Sequence, residues 1–266
     1  MKKKSHAALF IGFLMASCII IPIVFLVVTT QLNKQEAKAK SEASLIQNDN
    51  ASDDSGKTTA ESLKDGAQQS TFTTVDASYF DDALFIGDSR TVGLQEYGTL
   101  SNATYFANTG LSIYDAVSET VNVDGMGEIS LQELLTKNQY GKIYLMLGIN
   151  ELGFDLSQTV SKYNALVGQI KELQPDAIIY IEANLHVTAE RSASDDTFNN
   201  PNIDNFNAQV SSLADNETVY YLDINELFDD ENGALSTDYT NDNAHPLGKY
   251  YASWCDWLCE HAIVRS

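Results

Sequence analysis

Five short apolar runs punctuate the last three quarters of the chain, and segments of helical periodicity lie between them. The runs cover residues 83–87, 103–107, 142–147, 177–181 and 218–222. Each is bounded by Gly, Asp, Asn or Pro and is short enough to be a strand. Their near-continuous apolar character predicts burial on both faces, as in a parallel sheet. Leu156, Val160, Tyr163, Val167 and Ile170 recur at helical spacing, and Pro175 then stops that helix. Leu247, Tyr250, Trp254 and Leu258 make a second stripe, with Pro246 suited to its first turn. Strand-then-helix order predicts one three-layer α/β/α domain over residues 76–266. Its five-stranded, mainly parallel sheet would be joined by right-handed crossovers.

The front of the chain is different. Lys2, Lys3 and Lys4 precede 22 uncharged residues, 7–28. As a helix this run is long enough to cross a hydrocarbon core of about 30 Å. A cleaved signal peptide would have a shorter apolar region and a small-residue cleavage site, which Val27-Val28-Thr29-Thr30 is not. Lipoprotein processing at Cys18 would leave the apolar residues 19–28 on the mature end. The reading is an uncleaved single-pass anchor, with residues 1–6 as a basic cytoplasmic tail and the body outside the membrane. Residues 29–75, polar over most of their length, read as a flexible linker.

Charge follows the same division. The whole chain has 16 Lys and Arg against 37 Asp and Glu, a net charge of −21. Residues 1–70 hold 7 acidic and 8 basic side chains, whereas residues 71–266 hold 30 and 8. An acidic body excludes nucleic acid, whose phosphates need a basic surface. It would also repel polyanionic wall polymers and favour a neutral glycan. Three cysteines exclude a disulfide-built scaffold. Cys255 and Cys259, one helical turn apart, are expected to pack in the core.

In an open parallel sheet, ligands bind outside the carboxyl ends of the strands. Four polar segments are expected there: Gly87-Asp88-Ser89-Arg90, Asn108-Thr109-Gly110-Leu111, Gly148-Ile149-Asn150-Glu151, and Asp242-Asn243-Ala244-His245-Pro246. A serine nucleophile needs a base, an orienter for that base and oxyanion donors. Ser89 is the candidate nucleophile. His245, with Asp242 three residues before it, is favoured as base over His186, which has no acid so near in sequence. Gly110 can bring a backbone N–H close to a substrate, and Asn150 can add a side-chain N–H to that of the Ser89 backbone. The segment 229–233 is acidic but lacks calcium-loop spacing and reads as a turn. This chemistry requires no metal or cofactor.

Taken in order, these segments resemble the four sequence blocks of the SGNH hydrolases, the GDSL-type esterases. The resemblance spans about residues 76–266 and implies a flavodoxin-like fold. It implies Ser89 as nucleophile, His245 as base, Asp242 as its orienter, and Gly110 and Asn150 as oxyanion donors beside Ser89. Two departures stand out: Arg90-Thr91 follows the serine where leucine is common, and Glu151 stands where the family has Asp. No Gly-x-Ser-x-Gly elbow is present, which disfavours the α/β-hydrolase fold. The implied activity is a serine esterase removing acyl groups, acetyl above all, from a cell-envelope carbohydrate or another small ester. The alternatives are an O-acyltransferase using the same triad and a catalytically dead glycan-binding module. Asp195, Asp196, Asn199 and Asn200 are expected to give the site a polar rim.

Overall fold

The computed structural model describes residues 72–265. The expected membrane segment 7–28 and the linker up to residue 71 lie outside the described residues. Among the described residues, no helix is long and apolar enough to cross a membrane.

After a 3₁₀ turn at Ala77–Phe80, the chain forms β1 (Ala83–Gly87), α1 (Ser89–Tyr97) and β2 (Thr104–Ala107). A hairpin follows, β3 (Thr120–Val123) and β4 (Gly127–Ser130), then α2 (Leu131–Lys137). The remaining elements are β5 (Lys142–Met146), α3 (Leu156–Leu173), β6 (Ile178–Glu182), α4 (Ala189–Ser194), α5 (Asn200–Ser211), β7 (Val219–Leu222), α6 (Asn225–Phe228) and α7 (Tyr251–Glu260). The main sheet has the order β2-β1-β5-β6-β7. Every pairing in it is parallel. The five apolar runs therefore become its five strands, within one residue at either end.

This order is the flavodoxin-like one, with the connection direction reversing between β1 and β5. The reversal opens a crevice at the carboxyl ends of β1 and β5, the ends that carry Ser89 and Asn150.

The two faces of the sheet differ in chemistry. One face carries a row of rings across all five strands: Tyr105, Phe85, Tyr144, Tyr180 and Tyr220, aligned by the strand register. Phe85 stacks on Tyr144 and Tyr144 on Tyr180, each at 4.5 Å between ring centres. Leu94 of α1 and Trp254 and Leu258 of α7 cover this row. The other face is mostly aliphatic, with Leu84, Ile86, Ile143, Leu145, Ile179 and Ile181. Leu134, Tyr163, Ile170 and Phe206, from α2, α3 and α5, cover it. Each such side chain, fully buried, contributes about 1.5–3 kcal/mol.

Helix α3 follows the expected stripe. Asp155 caps it by accepting a hydrogen bond from the Gln158 N–H, and the helix ends two residues before Pro175. The last helix begins later than the stripe implied. The Leu247 N–H donates to the Tyr239 carbonyl at 2.7 Å, and Pro246 pairs with Thr240 in a short antiparallel bridge. That bridge holds Pro246 extended. One 3₁₀ turn, Gly248–Tyr250, then separates it from α7. His245 therefore lies in a loop and not at the N-terminus of a helix.

Candidate active site

Strand β1 delivers Ser89 to the first position of α1. Asp88 is the N-cap: its backbone is extended and its carboxylate accepts from the Arg90 N–H at 2.9 Å. The first N–H groups of a helix have no acceptor within it. The Ser89 N–H therefore points out of the helix end, where the backbone dipoles favour a negative charge. Asp88 is completely buried, which pushes its carboxyl pKa up, and the neighbouring Arg90 guanidinium offsets part of that rise.

Arg90 was read as a departure in sequence; in the fold it is only 2% exposed. Its Nη1 lies 3.9 Å from Asp88 and its Nη2 reaches the Ala244 carbonyl at 3.4 Å. A leucine could not make that second contact. Arg90 thus ties the start of α1 to the loop that carries His245.

In that loop Asp242 and His245 act as one unit. One Asp242 oxygen accepts from the backbone N–H groups of Ala244 and His245 and from the Thr240 hydroxyl. The other lies 2.8 Å from His245 Nδ1. Partial burial opposes ionisation of Asp242. The N–H donors and the imidazole outweigh it and hold the carboxyl well below the usual range. With Nδ1–H donated to Asp242, His245 Nε2 accepts from the Ser89 hydroxyl at 2.9 Å. The chain of contacts from carboxylate to imidazole to hydroxyl is complete.

Gly110 and Asn150 stand on loops that Asn150 links through the Leu111 carbonyl. Gly110 has φ +82°, and a Cβ there would meet nothing within 4 Å. Backbone conformation, not crowding, is what calls for glycine at this turn. Asn150 is exposed, and its Nδ2 donates to the Leu111 carbonyl at 3.2 Å. A primary amide has two N–H donors, so one remains for a ligand. Gly148 has φ +114°, and a Cβ on it would run into the Phe206 ring.

Glu151 does more than its place in sequence suggested. Its carboxylate accepts from the Ile113 N–H, so residues 150 and 151 both clasp the segment after Gly110. Burial pushes the Glu151 carboxyl up to about 7, against the pull of that N–H.

The structure separates His186 from this group. His186 Nδ1 lies 2.7 Å from Asp229 and its Nε2 2.9 Å from Asp204. These partners are 43 and 18 residues away in sequence, which is why no local signal marked them. Asp229 leads the acidic turn, closed by a hydrogen bond from the Gly233 N–H to the Asp230 carbonyl. The expected polar rim is in part structural. Asn200 is buried, accepting from the Val187 N–H and donating to the Val187 carbonyl, because it must tie α5 to the loop after β6. Asp195 accepts from two backbone N–H groups and pairs with Arg191. Cys255 is buried as expected, Cys259 is partly exposed, and both are free thiols.

A serine hydroxyl, imidazole and carboxylate in series at the switch point of a parallel α/β sheet define the class of SGNH-type ester hydrolases. The sequence agrees: the model of the GDSL-like lipase/acylhydrolase family matches residues 85–252. The chain belongs to that family and is a carboxylic ester hydrolase. No curated protein matches the sequence significantly. Among solved structures, the fold is similar to that of a Streptococcus pneumoniae protein provisionally named a platelet activating factor. That pair is 20% identical with a TM-score of 0.51, covering 69% of this chain and 90% of the other. A GDSL-like lipase from Bacteroides thetaiotaomicron is 16% identical with a TM-score of 0.49, over 65% of this chain and 83% of its own. The acetyl xylan esterase AlAXEase is 17% identical with a TM-score of 0.48, over 66% and 96%.

Proposed function

We propose that the protein is a membrane-anchored serine esterase that removes acetyl groups from a neutral cell-envelope glycan. The observation that carries the mechanism is the unbroken series Ser89 Oγ, His245 Nε2, His245 Nδ1 and Asp242, at 2.9 and 2.8 Å. Ser89 attacks the ester carbonyl while its proton passes to His245 Nε2. The backbone N–H groups of Ser89 and Gly110 and the Asn150 amide receive the oxyanion. His245 returns the proton to the departing sugar oxygen as the ester C–O bond breaks, leaving an acyl-serine. Water, deprotonated by His245, then releases the acid and frees Ser89. Asp242 stays ionised throughout, holding the ring and balancing the imidazolium.

The openness of the site supports hydrolysis over transfer to a second sugar. The His245 side chain is 41% exposed, and Gly110 and Asn150 are also exposed, so water reaches the acyl-serine freely. The acidity of residues 71–266 supports an uncharged substrate surface. Three lysines before 22 uncharged residues support an anchor that leaves the body outside the cell. Resistance of the full-length protein to alkaline carbonate extraction is the expected result; release into the supernatant would refute the anchor. For the chemistry, Ser89→Ala should lower turnover of p-nitrophenyl acetate by about 10⁴–10⁶-fold. Unchanged turnover would overturn the assignment.

A further inference from the structure

Beside the oxyanion loops lies a pocket of about 190 Å³ that the acyl-transfer chemistry does not use. Glu151, Phe154, Asn202, Asn205 and Phe206 are among its walls. It starts one residue beyond Asn150. It is smaller than the roughly 300–1,000 Å³ clefts that enclose drug-sized ligands, so it suits a single ring. Resting on the proposed esterase reading, we infer that this pocket is a subsite for an uncharged sugar ring next to the acylated one. The aromatic pair Phe154 and Tyr114 would carry the glycan onward from it.

Two observations point to a sugar, the rim amides and an exposed aromatic ridge. Glu151 is only 3% exposed and its carboxylate is held by the Ile113 N–H, so it forms a fixed wall of the pocket. Asn205 is exposed at the rim, and Asn202, whose Nδ2 donates to the Asp196 and Thr197 carbonyls, keeps its amide oxygen for a ligand hydroxyl. Phe154 is 60% exposed, more than any other large apolar side chain among the described residues. Its ring lies 5.5 Å from that of Tyr114, tilted by 58°. The faces of aromatic rings are electron-rich and attract the C–H groups on a sugar face. Tyr114 then lines a second, open depression of about 530 Å³ with Ser157, Gln158 and Lys162. A pocket with an apolar floor and amides at its rim, an aromatic ridge and a polar depression form a track for consecutive sugars, whose rings present both C–H faces and hydroxyls.

These loops are held in place. The Phe154 N–H donates to the Glu151 carbonyl at 2.8 Å, and the Tyr114 hydroxyl meets Thr159 at 3.1 Å. The ridge is thus built on the same segments as Gly110 and Asn150.

The test is calorimetric binding of unacetylated chitohexaose and cellohexaose to the full-length Ser89→Ala protein, which reports binding without turnover. At least one oligosaccharide should bind, with affinity lowered at least tenfold by adding Phe154→Ala and largely restored by Phe154→Tyr. In the Ser89 background, Phe154→Ala should raise KM for the acetylated oligosaccharide at least tenfold, with kcat within about threefold. Binding that Phe154→Ala leaves unchanged would overturn the subsite while leaving the esterase reading intact, and so would binding of neither hexamer. A selective loss of p-nitrophenyl octanoate turnover relative to acetate would also overturn it, marking an acyl-chain pocket. Failure of the esterase reading gives a different pattern: hexamer binding sensitive to Phe154, with no ester turned over by the wild type.

Discussion

Among the described residues two histidines meet aspartates, and they differ in one respect. His245 shares Nδ1 with Asp242 and leaves Nε2 for the Ser89 hydroxyl. His186 spends both nitrogens on carboxylates, Asp229 and Asp204. A general base must hold an unprotonated nitrogen toward the group it deprotonates. A ring whose two N–H groups both face carboxylates is held as a cation. Burial pulls the His186 pKa down, yet the two aspartates outweigh it and raise it. One site is arranged to pass a proton; the other is a clamp joining the loop after β6 to α5 and to the end of α6.

The contrast breaks most easily at the base. His245→Ala should reduce esterase turnover by about 10⁴–10⁶-fold. It should leave thermal stability nearly unchanged, since the side chain is partly exposed. His186→Ala should do the reverse, with turnover per folded molecule within about threefold. If both variants lose turnover equally while folded, the two histidines have not been told apart. Next in size is Asn150→Ala, which removes an oxyanion donor and the bond to the Leu111 carbonyl together. A loss of about 10²–10³-fold in kcat is expected, with KM little changed. A pure KM effect would move Asn150 from the transition state to ground-state binding.

The stability of the clamp has a pH signature. His186 has a folded pKa above its unfolded one. Its contribution is complete below the unfolded value and lost as pH rises through the folded one. The destabilisation by His186→Ala, about 1–3 kcal/mol, should therefore be largest in acid and shrink in alkali. A penalty that grows with pH would contradict the cationic clamp. A second pH signature belongs to Glu182, fully buried, with burial pushing its carboxyl up to about 8. The folded state holds this proton while the unfolded chain gives it up near the ordinary value. Stability should fall by up to about 1.4 kcal/mol per pH unit between those values. Glu182→Gln should flatten that dependence; a slope unchanged in the variant would reassign it to other groups.

The same comparison explains what a sequence alone can reveal here. Asp242 and His245 are three residues apart, so their partnership is visible in the order of letters. The partners of His186 come from α5 and from the end of α6, and only the fold brings them together. The main strands were visible because burial on both faces demands unbroken apolar runs. The β3/β4 hairpin was not, since Thr120–Val123 buries only alternate residues on four positions. Glu151 and Arg90 looked like neutral departures from a motif. Their roles depend on the Ile113 N–H and the Ala244 carbonyl, which no local pattern encodes. Pro246 misled for a similar reason: the pull on Leu247 comes from Tyr239, eight residues earlier.

The most direct test of the account is active-site labelling with a fluorophosphonate, mapped by peptide mass spectrometry in the wild type, His245→Gln and His186→Gln. The expected result is one modified residue, Ser89, labelled rapidly in the wild type and His186→Gln and at least 10³-fold more slowly in His245→Gln. Label on another serine, or slow labelling in His186→Gln with normal labelling in His245→Gln, would contradict it.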